Sequence, residues 1–491
     1  MELNQTSICY YDRRLQRTAM STESADAIVP DTYPDVGRVV CAYGVASVKD
    51  QTPQNGRLLI SGMVRTTVVY QPEEGGGLRL LNIPISFAHI EECEALNTDA
   101  VCLATCRVAS VEAVAVNSRK LTVNASLCFE SEGYQKTTCN VTEGVDLPQA
   151  ELRCTPRLVT LIEQAQTCPI TVLEDVTMPD AAGLSLLHAE CVLRATECRA
   201  MQGKAVLKGE ASITCLALQE DDAVRVLTSA TPFTQILEMP EVGEGDSLSA
   251  SLTARELDCR LEPDGLLSYT VNAAALLLMR RAQTLQNIDD LYIPGKELQL
   301  SQEKTVLRST PPATAFAGET TETLQTARHV SHIVSAGAFS CDAKRADGEK
   351  AQMTAAVQVL YLDDDQQLCF LQRMLPVSIP CSGQGELSQL ELVARGAPSG
   401  EQGMMLTLSA KGQIAAEEQC TFRCITELNE IDAPCAADGV TLKLRYIDRE
   451  QPLWDIAKAC GTTMEAIRRA NELPADAQTA AETMLLIPIG G

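Results

Sequence analysis

Three stretches of the chain share one layout, and that layout is the strongest constraint on its fold. They are "RLLISGMVRTTVVYQPEEGGGLRLLNIPISF" (57–87), "KAVLKGEASITCLALQEDDAVRVLTSATPFTQI" (204–236) and "KAQMTAAVQVLYLDDDQQLCFLQRMLPVSI" (350–379). Each begins with alternating apolar and polar residues and breaks at an acidic turn, "PEEGGG", "QEDD" or "DDDQQ". Each then resumes and meets a proline: Pro84, Pro232 or Pro376. A period of two around a Gly/Asp/Glu-rich turn predicts a half-buried β-hairpin. A second alternating pair follows every hairpin, over 101–130, 248–278 and 387–414. These pairs turn at Asn117-Ser118, Pro263-Asp264-Gly265 and Pro398-Ser399-Gly400, residues that tolerate left-handed backbone or preset φ. The third copy is shorter and looser.

A repeat of about 145 residues is a domain rather than a solenoid unit, whose period is roughly 20–50 residues. The expected fold is mainly β: tandem antiparallel sandwiches or barrel-like domains at 1–145, 146–288 and 289–432, then a small α+β domain at 441–491. The likeness of "AQTCPITVLEDVTMP" (165–179) to "AQTLQNIDDLYIP" (282–294) predicts that each opens a repeat. Residues 308–326 read as the most loop-like stretch.

Composition narrows the function. Hydrophobic residues make up 45% of the 491 and charged residues 21%, the balance of a folded chain. The net charge of −25 repels phosphate backbones and anionic lipid, so neither nucleic acid nor a bare membrane is an expected partner; a basic protein is allowed. The N-terminus has no apolar h-region behind a basic start, and the longest apolar run, Val271 to Met279, is far short of the roughly 20 residues of a spanning helix. A cytoplasmic chain without a transmembrane segment is expected. Its 20 cysteines are scattered, with no C-x-x-C pair, and read first as small buried hydrophobes. Late cross-linking in an assembled structure is the other reading.

Catalytic patterns are missing from the sequence. His329-x-x-His332 has no Cys or carboxylate at metal spacing, and there is no G-x-S-x-G, P-loop or H-E-x-x-H. A non-enzyme with no cofactor and no metal is expected.

The tail, residues 443–489, differs from everything before it. A short strand (443–447) precedes Leu453, Ile456 and Ala457 at helical spacing, beside Trp454, the only Trp. Gly461 ends that helix, and Thr462-x-x-Glu465 predicts a capping box for a second one, with Met464, Ile467 and Ala470 along its inner side. "MLLIPI" (484–489) closes as a strand. Strand–helix–helix–strand with Leu-Trp-Asp-Ile-Ala and Ala-Asn is similar to a LysM domain. The resemblance implies binding of N-acetylglucosamine polymers such as peptidoglycan or a chitin-like glycan. The implied groove lies between Glu450, Gln451, Pro452 and Leu453 on one side and Asn471, Glu472, Leu473 and Pro474, running on to Ala475, on the other. Where the family typically has Gly-Asp-Thr-Leu, this chain has Glu450-Gln451-Pro452-Leu453, a departure that removes a backbone donor and a glycine.

A second resemblance lies at the other end. "IVPDTYPDVGRVV" (28–40), the Gly-centred hairpin after Tyr70 and "VNSRKLTV" (116–123) resemble the SPOCS domain of spore-coat-associated proteins in endospore-forming Firmicutes. The resemblance covers residues 25–140 directly and the later copies by repetition. SPOCS-like domains followed by a LysM-like domain are the layout of the spore-coat morphogenetic family that includes stage VI sporulation protein D and its clostridial LysM-bearing counterparts. That layout implies a mother-cell assembly protein at the forespore surface. Its implied partner is a coat-assembly protein such as the stage IV sporulation protein A ATPase.

Overall fold

The computed structural model describes residues 3–147, 149–220, 222–342, 345–400, 403–431 and 441–489. It is mainly β, in antiparallel sheets, with a small α+β region at the C-terminus.

The first repeat is a two-layer sandwich. Its opening strand, Leu3–Ile28, pairs along its whole length with Lys120–Val145, which hairpins with Val101–Asn117. The other layer is the meander Val36–Gln54, Arg57–Pro72 and Arg79–Glu92. Alternation puts Leu58, Ile60, Val64 and Val68 of the meander against Leu121, Val123, Leu127 and Phe129 of the hairpin layer. The second repeat copies this plan. Glu151–Thr177 pairs with Leu266–Tyr292, which hairpins with Ser247–Leu261, over the meander Ser185–Met201, Lys204–Leu218 and Val224–Glu238. The two hairpin layers join edge to edge in one six-stranded sheet, linked at Tyr11 and Ile162.

The likeness of the copies extends to single residues. Gly62 lies under the ring of Phe87, and Gly209 lies under that of Phe233. Beside each glycine the neighbouring strand slips register, at Val48/Asp50 and at Ala195/Glu197. Pro84 and Pro232 sit on the outer strand of their meanders, where a missing N–H leaves no ladder bond unmade.

Residues 282–292 do not open the third repeat. They complete the second, pairing with residues 151–160 beyond a register shift at Met279/Arg280. The segment they resemble lies elsewhere in the same ladder, where 165–177 pairs with 266–278.

The third repeat departs from the plan, which explains its looser sequence. Its opening strand is broken around Pro311-Pro312 into Glu297–Ser309, paired with Glu418–Ile431, and Thr314–Gln325, paired with Gly403–Ala415. Thus 314–325, expected as loop, is an edge strand. Phe316 and Leu324 point into the core, the half-buried Thr320 and Glu322 share their face, and Glu319, Thr321 and Thr323 face water, which made it read as polar. A loop separates meander from hairpin in the first two copies. Here Leu368–Pro398 runs from one to the other, pairing first with Arg345–Leu362 and then with Gly403–Ala415. Gly383 and Gly385, at φ +124° and +149°, make the corner.

The motifs quoted above from the first repeat meet. The backbone N–H of Val36 donates to the Ser118 carbonyl, and that of Val29 to the Arg119 carbonyl, both at 2.9 Å. The Arg119 guanidinium donates to the Tyr33 carbonyl (2.7 Å) and pairs with Asp35 (3.2 Å) and Asp31 (3.4 Å). The Pro-Asp-x-x-Pro-Asp loop is therefore clamped over the end of the sandwich by the hairpin turn. In the second repeat Met178 N–H bonds Gly265 O (2.8 Å) and Gly183 N–H bonds Pro263 O (3.0 Å), a backbone version without the arginine.

None of the 19 described cysteines is in a disulfide, and eight are buried. Burial above all pushes Cys41 and Cys102 up to about 12, so neither is a thiolate near neutrality. A polar thiol reagent is expected to label the exposed Cys9 and Cys154 in the native chain, and Cys41 and Cys102 only after denaturation. Peptide mapping by mass spectrometry reads this, and early modification of Cys41 or Cys102 would contradict the packing. No helix among the described residues is long and apolar enough to cross a membrane.

Candidate functional site

The tail builds itself from local signals. Strand Leu442–Ile447 pairs with Thr483–Pro488, and between them lie helix α1, Leu453–Cys460, and helix α2, Met464–Ala470. Leu453, Ile456 and Ala457 of α1 are buried with Ile467 of α2, Leu485 and Ile487. Met464 packs at the margin of this core, and Ala470 is half-buried. Gly461, at φ +64°, ends α1 in a Schellman arrangement: its N–H bonds Lys458 O (3.3 Å) and that of Thr462 bonds Ala457 O (3.0 Å). The cap of α2 is Thr463, whose hydroxyl accepts from Ala466 N–H at 3.0 Å. Thr462, expected in that role, is one residue too early because its own N–H still closes α1.

The two groove loops lie side by side, held by a short ladder of Gln451 with Ala480 and Pro452 with Thr479. The Thr479 hydroxyl donates to the Glu450 carboxylate (2.9 Å), and Leu453 N–H to Gln478 O (2.8 Å). In the second loop Arg468 Nε donates to Ala477 O (2.9 Å), and Leu473 N–H to Arg468 O (3.0 Å). Glu450, Pro452, Glu472 and Pro474 are exposed, while Gln451 and Leu473 are half-buried. Two expected groove residues serve the fold instead. Leu453 is 0% exposed. The Asn471 amide donates to Ile467 O and Leu486 O and accepts from Leu486 N–H, each at 2.7 Å. It caps α2 and ties it to the closing strand, which satisfies both of its donors.

The opposite side of the tail is seated on the second repeat. Trp454 is only 4% exposed. Its indole N–H donates to Asp290 Oδ2 (2.8 Å), its ring meets Tyr292 edge-on at 5.0 Å, and the Arg153 guanidinium lies 5.5 Å over it. Lys458 Nζ bonds Asp290 Oδ1 (2.6 Å), and the Tyr292 hydroxyl donates to Thr462 O (2.9 Å). Asp290, Tyr292 and Arg153 do not stand out in the sequence. The one signal was the lone Trp, whose indole N–H needs an acceptor when buried.

Residues 452–488 match the family model of the LysM domain. The tail is a LysM domain. No match was found among curated proteins or among solved structures. The LysM domain thus presents its groove loops to solvent, while the α1 side bearing Trp454 and Lys458 is taken up by the chain's own second repeat.

Proposed function

We propose that the chain is a non-enzymatic binding protein whose LysM groove takes N-acetylglucosamine polymers such as peptidoglycan. The observation that carries this reading is the orientation of the domain: docking uses the Trp454 side and leaves both groove loops open. The exposed Glu450 and Glu472 carboxylates can accept from sugar hydroxyl and acetamido donors, and the rings of Pro452 and Pro474 supply apolar faces for the sugar C–H surface. Loop backbone groups do the rest, which suits the uncharged N-acetylglucosamine units of the polymer in an acidic chain. The β repeats would hold the groove in a fixed orientation.

Co-sedimentation of the full chain with purified insoluble peptidoglycan tests the proposal. Saturable pelleting, competed by chito-oligosaccharides and weakened about tenfold by Glu450→Ala with Glu472→Ala, is expected, a loss of roughly 1.4 kcal/mol. A folded chain that stays in the supernatant would sink it.

A second reading is supported by the clamp of Arg119 on the loop 30–35, since it makes one unit of the two motifs on which the resemblance to the SPOCS domain rests. On this reading the chain is a spore-coat assembly protein at the forespore surface in the mother-cell cytoplasm. The exposed groove then engages a protein such as the stage IV sporulation protein A ATPase, and the repeats add multivalent contacts. Capture of that purified ATPase by the wild-type chain, lost with the same groove substitutions, would separate this reading from glycan binding.

A further inference from the structure

A cleft of about 900 Å³ opens between the start of strand Glu151–Thr177, the two-stranded sheet of the third repeat and α1 of the LysM domain. Its charge is opposite to that of the chain. Arg153, Arg157, Lys304, Arg423 and Lys458 line it against Asp289 and Asp290, in a protein of net charge −25. Both carboxylates are already engaged. Asp289 holds Arg157 through two contacts of 3.2 Å, and Asp290 holds Lys458 and the Trp454 indole. Arg153 lies 3.8 Å from Asp290 and 3.8 Å from Asp455. Among the described residues, Lys304 and Arg423 have no carboxylate partner, and both are exposed at the cleft. The half-buried Leu298 and Leu300 give the cleft an apolar stretch, and elsewhere in its lining Phe422 is buried under the Arg157 guanidinium.

We propose that this cleft binds a short acidic peptide. Carboxylates would meet Arg423, Lys304 and the outward N–H groups of Arg153, in the bidentate geometry that guanidinium favours. Apolar side chains of the same peptide would cover Leu298 and Leu300. The volume falls in the usual range for ligand sites, roughly 300–1,000 Å³, and a free phosphate would leave most of it and both leucines uncovered. An acidic protein segment and the acidic stem peptide of peptidoglycan present this same chemistry. The site does not rest on glycan recognition by the groove.

Isothermal titration of the full chain tests it with three probes. These are a capped hexapeptide alternating Glu and Leu, its Lys/Leu counterpart and a soluble disaccharide-peptide from peptidoglycan, with the bare disaccharide as control. The Glu/Leu peptide is expected to bind, to weaken at least tenfold in Lys304→Glu with Arg423→Glu, and to weaken as salt rises. The Lys/Leu peptide is expected not to bind. Tighter binding of the disaccharide-peptide than of the disaccharide, lost in the same variant, would identify the wall stem as the source. Binding of the Glu/Leu peptide alone would identify a protein segment. The proposal is overturned if no acidic probe binds the wild-type chain, or if the charge reversals, folded by circular dichroism, leave binding unchanged. Glu450→Ala with Glu472→Ala should not alter acidic-peptide binding, so failure of the groove reading and failure of this one remain distinguishable.

Discussion

Trp454→Ala is expected to unfold the LysM domain and release it from the second repeat while the β repeats still melt as they do in the wild type. Removing a buried tryptophan costs roughly 3–5 kcal/mol. Here the ring is 4% exposed and lies between the tail's own core and Tyr292. The change also strips Asp290 Oδ2 of its indole donor, leaving Lys458 and the Leu291 N–H on Oδ1. A module this small has little stability in reserve. Hydrogen exchange resolved by peptide reads the result, with protection expected to vanish across 442–488 and persist across 120–145. Asp290→Ala separates seat from core. It leaves the buried indole N–H without its acceptor, at roughly 1–3 kcal/mol, and should red-shift the fluorescence of this single-tryptophan chain. Wild-type protection of 453–470 in Trp454→Ala would show that the docking contributes nothing.

Gly62→Ala should destabilise the first repeat by at least about 2 kcal/mol, at the upper end of overpacking costs. A β-carbon there would run into the Ser47 carbonyl oxygen and stand 2.5 Å from the ring of Phe87. The carbonyl belongs to a paired strand and cannot swing away as a flexible side chain would. Gly209→Ala should do the same in the second repeat, where the new carbon would fall on the Phe233 ring and 2.7 Å from the Arg194 carbonyl oxygen. Gly337→Ala is the control. Nothing lies within 4 Å of its added carbon, so a change inside about 0.5 kcal/mol is expected. Thermal melts of the three variants decide it. Equal behaviour of Gly62→Ala and Gly337→Ala would refute the close packing of aromatic on glycine.

What could be read from the residues alone was whatever short-range chemistry controls. Alternation around acidic turns marked the hairpins, and the proline positions matched outer strands in the first two meanders. The 3.6-residue spacing of Leu453, Ile456 and Ala457, with Gly461 behind them, marked α1 within the LysM domain. Readings failed where a segment's state depends on a distant partner. Residues 314–325 look polar because an edge strand buries one face only, and nothing local reveals that Gly403–Ala415 covers it. Residues 282–292 look like the start of a repeat, and only their pairing with residues 151–160 places them in the second. Thr462 and Thr463 offer the same hydroxyl, and only the closing bond of α1 decides which one caps α2.

The sequence by itself therefore determined a mainly β chain with an α+β tail, because period, turn residues and helix caps act over a few neighbours. Tertiary structure alone decided where that tail sits. Trp454 and Asp290 are 164 residues apart in the chain, and the cleft gathers Arg153, Lys304, Arg423 and Lys458 from four separate elements. Such contacts arise only when whole sheets have packed. Charge and burial then depend on which surfaces meet, and no local pattern carries that information.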